Sequence, residues 1–172
     1  VGPGPSGRQW HNNVWTGSEM LIWGGCCPER SDGHRYDPVL DNWSPMSLEN
    51  APVGRILHAS VWTGSEMMIW GGVDRWSTIY HGTGGRYDPI LDKWSEIATA
   101  GIPEGQKGPA AVWTGTEMVV WSGVKDNALP SDRGGAYDPA TNSWRDLSLT
   151  NAPAARDRAT AVWTGSEMIV WG

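Results

Sequence analysis

Val61–Gly72, reading VWTGSEMMIWGG, decides how this chain folds, because the chain writes it four times. VWTGSEMLIWGG begins at Val14, VWTGTEMVVWSG at Val112 and VWTGSEMIVWG at Val162. A second phrase alternates with the first: RYDPVLDNW at Arg35, RYDPILDKW at Arg86 and AYDPATNSW at Ala136. The equivalent tryptophans Trp15, Trp62, Trp113 and Trp163 stand 47, 51 and 50 residues apart. A constant period near fifty, filled with short strand-like segments, is the mark of a repeat architecture.

Each period reads as four strands. Strand A ends in VWT, as in His58 to Thr63. Strand B is Glu66 to Gly72, strand C runs from about Gly85 to Asp88, and strand D from about Lys93 to Ala98. Thr-Gly-Ser joins A to B, a tight turn in which Gly64 takes positive φ at little cost. Pro89 and Asp92 supply turn chemistry between C and D. Strand B is apolar on consecutive positions (Met67, Met68, Ile69, Trp70), which suits a strand covered on both faces. Nothing shows the 3.6-residue period of a helix. The repeats are too long for a β-helix and lack the GH…WD signature of the WD40 type.

Four antiparallel strands per repeat, stacked radially, make an all-β propeller. The blades are expected over about 8–48, 55–99 and 106–149, with half a blade over about 156–172, as a single partial propeller spanning 1–172. The double glycine after strand B, the tyrosine of strand C and a tryptophan seven residues later are Gly24-Gly25, Tyr36 and Trp43; Gly71-Gly72, Tyr87 and Trp94; and Ser122-Gly123, Tyr137 and Trp144. This pattern resembles the kelch repeat family over nearly the whole chain, with Ser122 in place of a first glycine. The VWTGSEM wording is similar to kelch-type propellers of bacterial proteins, and this resemblance implies an extracellular or periplasmic setting. About three and a half blades are visible. The reading is that they belong to a longer chain forming a six- to eight-bladed ring; the alternative is a short chain that assembles with a second copy through open blade edges.

Composition narrows the function. A chain of 172 residues buries roughly 70% of its unfolded surface. Its 13 tryptophans fall mostly inside the repeated phrases, so tryptophan is scaffold here, not a sign of a ligand. The net charge of −6 argues against a nucleic-acid partner. No apolar run approaches the ~20 residues of a membrane span. Cys26 and Cys27 are adjacent and read as two loop thiols; no disulfide framework, metal site or cofactor is expected of them.

The repeats act as their own control: a residue present in every blade serves the blade, and one present in a single blade can serve a site. Glu19, Glu66, Glu117 and Glu167 recur and read as structural bonds at the start of strand B. Asp37, Asp88 and Asp138 precede proline and are expected to bond their own backbone. The variable segments are the B–C and D–A connections, which share one end of the blades. Loops on a rigid scaffold are the usual home of binding sites. The B–C loops carry Glu29, Arg30, His34, Asp74, Arg75, Trp76, Tyr80, His81, Lys125, Asp126 and Arg133. Trp76, Tyr80 and His81 belong to no repeat phrase; an exposed Trp/Tyr pair suits a sugar ring or a protein anchor. The D–A segments carry Arg8, Arg55 and Arg156, with Gln106 in the third blade. They read either as a cationic ring for a carboxylate or phosphate or as bridges between blades, the second being favoured.

No nucleophile–base pattern is legible. The expected function is a non-catalytic binding or scaffold module for a protein or glycan on the variable-loop face. Two alternatives stand beside it, the first implied by the kelch resemblance and the second by the open blade edges. One is a sugar epimerase or copper-dependent oxidase domain with its site elsewhere; the other is a structural role through open edges.

Overall fold

The computed structural model describes residues 4–74, 79–125 and 129–172. It is all-β, with no helix among the described residues. The first sheet holds β1 (Asn12–Trp15), β2 (Met20–Trp23), β3 (Gly33–Asp37) and β4 (Asn42–Pro45). The second holds β5 (Ala59–Trp62), β6 (Met67–Trp70), β7 (Gly84–Asp88) and β8 (Lys93–Glu96). The third holds β9 (Ala110–Trp113), β10 (Met118–Trp121), β11 (Gly134–Asp138) and β12 (Ser143–Asp146). Strands β13 (Thr160–Trp163) and β14 (Met168–Trp171) form a two-stranded sheet. Each sheet is an antiparallel meander in chain order, and the register repeats: Met20 faces Tyr36, Met67 faces Tyr87, and Met118 faces Tyr137.

The first strands lie side by side, β1 with β5, β5 with β9 and β9 with β13, so strand A of every blade is innermost. They flank an axial hollow of about 280 Å³ lined by Asn12, His58, Ser60, Ala110 and Thr160, among others. Small side chains at this end of the wedge let the blades converge.

Identical wording acquires different burial according to its neighbours. All four residues of β6 and of β10 are buried. In β14, Ile169 and Trp171 are 51% and 80% exposed, although they repeat the same phrase. The difference is the absence of a described sheet on that side. Face-to-face packing of sheets supplies the cores. Between the first and second blades, Leu21, Trp23 and Met46 meet Met67, Ile69, Tyr87 and Trp94. Between the second and third, Met68, Trp70 and Ile97 meet Met118, Val120, Tyr137 and Trp144. The Trp94 ring lies 5.6 Å from Trp23 and 5.2 Å from Tyr87, at tilted angles favoured by aromatic pairs.

The tyrosine and tryptophan of the second and third outer hairpins close a clasp onto the preceding blade. The Tyr87 hydroxyl donates to Asp92 Oδ1 at 2.6 Å. The same carboxylate oxygen accepts the Ser47 backbone N–H of the blade before, at 2.8 Å. Trp94 Nε1 donates to the Ser47 carbonyl at 3.1 Å. The third blade repeats this with Tyr137, Asn142, Ala98 and Trp144. Burial first, and then the bond to Asp92, raise the Tyr87 hydroxyl above its ordinary pKa, so it stays a donor at neutral pH.

The double glycine is the other seam. Gly24 and Gly25 have φ of 71° and 92°, and Gly71 and Gly72 of 74° and 93°. Gly72 N–H donates to the Gln106 carbonyl of the next blade at 2.7 Å, as Gly25 N–H does to Arg55. A Cβ on Gly72 would sit 2.7 Å from the Ile56 carbonyl oxygen. In the third blade Ser122 holds the first position at φ 58°. Its hydroxyl donates within the loop to the Ser131 carbonyl and accepts from Arg156 N–H in the next blade.

On the opposite end, the Thr-Gly-Ser turns place Gly17, Gly64, Gly115 and Gly165 at φ 105°, 103°, 104° and 106°. Asp37 Oδ1 accepts the backbone N–H of Val39 and Leu40, and Asp88 and Asp138 act on their own turns in the same way. Glu19 pairs with Arg35 at 2.8 Å, and Glu117 with Arg145 at 2.6 Å. The recurring glutamates thus tie strand B to its outer strands.

Candidate binding face

The B–C and D–A loops gather at one end of the blades, and the turns of fixed wording at the other. Arg8, Arg55 and Arg156 lie at the loop end, but as struts. Arg55 is 1% exposed. Its guanidinium donates to the carbonyls of Val53, Gly71 and Thr83 and to the Thr83 hydroxyl. Burial lowers its pKa to about 10. Arg8 reaches the Gly24 and Asp32 carbonyls and the Asp32 carboxylate at 3.0 Å. Arg156 donates to Ala154 and Gly172. Each arginine therefore pins the end of strand B within its own blade. The bridge between blades runs instead through its backbone carbonyl, which the second glycine takes up. Gln106 does the same side-chain work weakly, donating to the Arg133 carbonyl at 3.4 Å. The guanidinium groups are consumed by carbonyls, which removes the geometry of a cationic ring.

His58 lies beneath this layer, 3% exposed, its ring 5.3 Å from Trp23 and edge-on to it. Neither ring nitrogen has a hydrogen-bond partner among the described residues. Burial, with the Arg55 charge beside it, lowers its pKa to about 3. The unfolded chain binds a proton near pH 6.5 that the fold refuses. Stability is therefore full above pH 6.5 and falls as the pH drops toward about 3. Between pH 7 and pH 5 this one histidine should remove about 2 kcal/mol. His11 and His34, also shifted down by burial, act in the same direction. Denaturant titrations at both pH values check it: His58→Ala should flatten the slope, and an unchanged slope contradicts the assignment.

The remaining loop residues divide into packed and presented. Tyr80 is half-buried against Cys26, Ile56 and Val73. Lys107 Nζ sits 5.7 Å from its ring centroid. His81 Nε2 is 2.6 Å from Asp74 Oδ1. His34 lies edge-on to Trp43 at 6.4 Å, and its Nδ1 is 3.9 Å from Asp32. Arg30 is half-buried and lies under Gly54, with its backbone N–H on the Gly25 carbonyl. Lys125 pairs with Glu104 at 2.6 Å. Arg133, its side chain 64% exposed, stands beside Asp132. Lys125, Glu104, Arg133 and Asp146 rim a polar hollow of about 260 Å³ between the second and third blades. Trp76, Arg75 and Asp126 fall outside the described residues.

Cys26 corrects the loop-thiol expectation. It is buried, pairs by backbone with Gln9, and occupies the position of Val73 and Val124, at the seam of the first two blades. Cys27 is exposed, and neither cysteine is in a disulfide. A small apolar side chain is what that position requires. Among the described residues no group of three or more His, Cys, Asp or Glu is placed to hold a metal ion. No described helix is long and apolar enough to cross a membrane.

Radial four-stranded blades, bonded through paired glycines and aromatic clasps, define a β-propeller of repeat type. The sequence matches the KLHDC2/KLHL20/DRC7 Kelch-repeats domain over residues 1–172, and the chain belongs to the kelch-repeat family. Kelch repeats commonly serve as protein-interaction scaffolds. No curated protein matches the chain.

Proposed function

We propose that this chain is a non-catalytic binding module, that its partner surface is the end carrying the B–C and D–A loops, and that the partner is a protein. The observation that carries this reading is the division of labour between the two kinds of residue. Repeated side chains are used up in seams and clasps, while variable ones with charge and aromatic surface collect at one end of a rigid frame. Arg133, Lys125, Glu104 and Tyr80 give that end the mixed polar and aromatic character of protein interfaces. A glycan is the second partner for which this end has chemistry, through stacking on Tyr80. Lys107 already covers that ring, which favours the protein reading.

The test compares capture from extracts of the source cell by the wild-type chain, by Lys125→Glu/Arg133→Glu, and by the turn-end control Val39→Ser/Leu40→Ser. The loop-end variant should weaken retention about tenfold or more and shift the melting temperature by no more than about 2 °C. Loss of retention in the turn-end control alone would place the partner on the wrong end.

A further inference from the structure

We infer that the polar hollow at the loop end of the third blade seats a mixed-charge segment of a protein partner, with an acidic residue against Arg133 and a basic residue against Asp146. The inference rests on the loop-end reading above and names the chemistry of its partner. The repeats single out this blade by a transposed charge. In the first blade the strut Arg8 bonds the carbonyl and carboxylate of Asp32. In the second, Arg55 bonds the carbonyl and hydroxyl of Thr83. In the third, the strut is Gln106, 0% exposed, and the residue whose carbonyl it reaches is Arg133. The cation has left the buried strut position and stands at the surface instead, its side chain 64% exposed.

The charges around the hollow specify the occupant. Lys125 and Glu104 already satisfy each other at 2.6 Å. Arg133 does not share that condition: the Asp132 carboxylate is 4.0 Å from its Nε, beyond hydrogen-bond reach. The exposed Asp146, on the strand-D side of the hollow, accepts no hydrogen bond on its carboxylate among the described residues. The corresponding positions of the second blade are Val53, Asp74, Thr83 and Glu96, which carry no cation. A wholly acidic segment is opposed by Glu104, Asp132 and Asp146 and by the net charge of −6. A wholly basic one is opposed by Arg133 and Lys125. A segment with one residue of each sign answers both unsatisfied groups. Exposed ion pairs contribute little affinity by themselves, so the charges select the partner, while Ile102 and Pro103, which line the same hollow, offer it apolar contact.

The probe is a phage-displayed library of random peptides, panned on the chain. Peptides enriched on it should carry both an acidic and a basic residue. The leading peptide, synthesised with a fluorescent label, is then titrated by anisotropy with the chain and with two charge reversals, Arg133→Glu and Asp146→Lys. Both side chains are exposed, so circular dichroism should not change. Each reversal sets like charges against each other and should weaken binding about tenfold or more. Enrichment of peptides of one sign only, no enrichment, or an affinity that either reversal leaves unchanged overturns the inference. Such a result leaves the loop-end reading standing if the captured partner is still lost with Lys125→Glu/Arg133→Glu. Loss in the turn-end control alone sinks that reading itself.

Discussion

Trp94→Ala should destabilise the chain by about 3–5 kcal/mol, the range for a buried aromatic truncated to alanine. Trp94 is 4% exposed and fills the space between the first two blades. Its loss leaves a cavity against Trp23 and Tyr87 and orphans the Ser47 carbonyl that its indole N–H satisfies. Trp43 has the same place in its repeat, but no described blade precedes it, and its ring is only half-buried. In the 172 residues taken alone, Trp43→Ala should therefore cost less than half as much. Urea titration of the two variants decides the matter. Equal losses would mean that the tryptophan serves its own sheet, by its contact with the strand-C tyrosine, and not the seam.

The second large effect separates the two glycines of one pair. Gly72→Ala forces a Cβ to 2.7 Å from the Ile56 carbonyl and 3.0 Å from the His58 Cβ, at φ 93°. The left-handed backbone costs a residue with a side chain about 1–2 kcal/mol, and the overlap adds about 1–3 kcal/mol. A loss of about 3 kcal/mol is expected. Gly71→Ser also meets a carbonyl, its Cβ 2.8 Å from that of Gln106 at φ 74°, but should cost less, about 1–2 kcal/mol, because a serine hydroxyl can bond across the seam. Ser122 already holds that position at φ 58°, donating to a loop carbonyl and accepting an N–H from the next blade. Thermal denaturation of both variants reads the contrast. Equal tolerance of the two would show that the seam is looser than the geometry requires.

Much of the frame was legible in the repeats. The consecutive apolar run Met67–Trp70 announced a strand covered on both faces, and the structure buries all four residues. The double glycine and the Asp-Pro turns stand where their backbone chemistry places them. What the phrases withheld is which neighbour each repeated residue touches. Asp92 reads as a turn residue for its own hairpin. That its carboxylate also takes the Ser47 N–H depends on how the blades stack, which no local spacing encodes. Arg55 showed the same limit: a recurring arginine fits a ring around an axis or a strut within a blade, and only its burial decides. Cys26 was hidden because cysteine in a variable segment resembles a loop thiol, while its alignment with Val73 and Val124 appears only once backbone pairing is known.

The site was less legible than the fold. Of the variable-loop residues, Arg133 is presented to solvent, whereas Tyr80 and His81 spend part of their surface on neighbours. Sequence variation marks where a surface is permitted to differ. It does not separate side chains that face outward from those that close the loop on itself.

The outer hairpins of the second and third blades are each bound to the blade before them, which makes the repeats wedges of one propeller. Hydrogen exchange of the indole N–H groups, followed by NMR, reads these bonds one by one. Trp94 and Trp144, bonded to Ser47 and Ala98, should exchange slowly, while Trp43, in the 172 residues taken alone, exchanges quickly. Exchange of all three at one common fast rate would contradict face-to-face stacking of the blades.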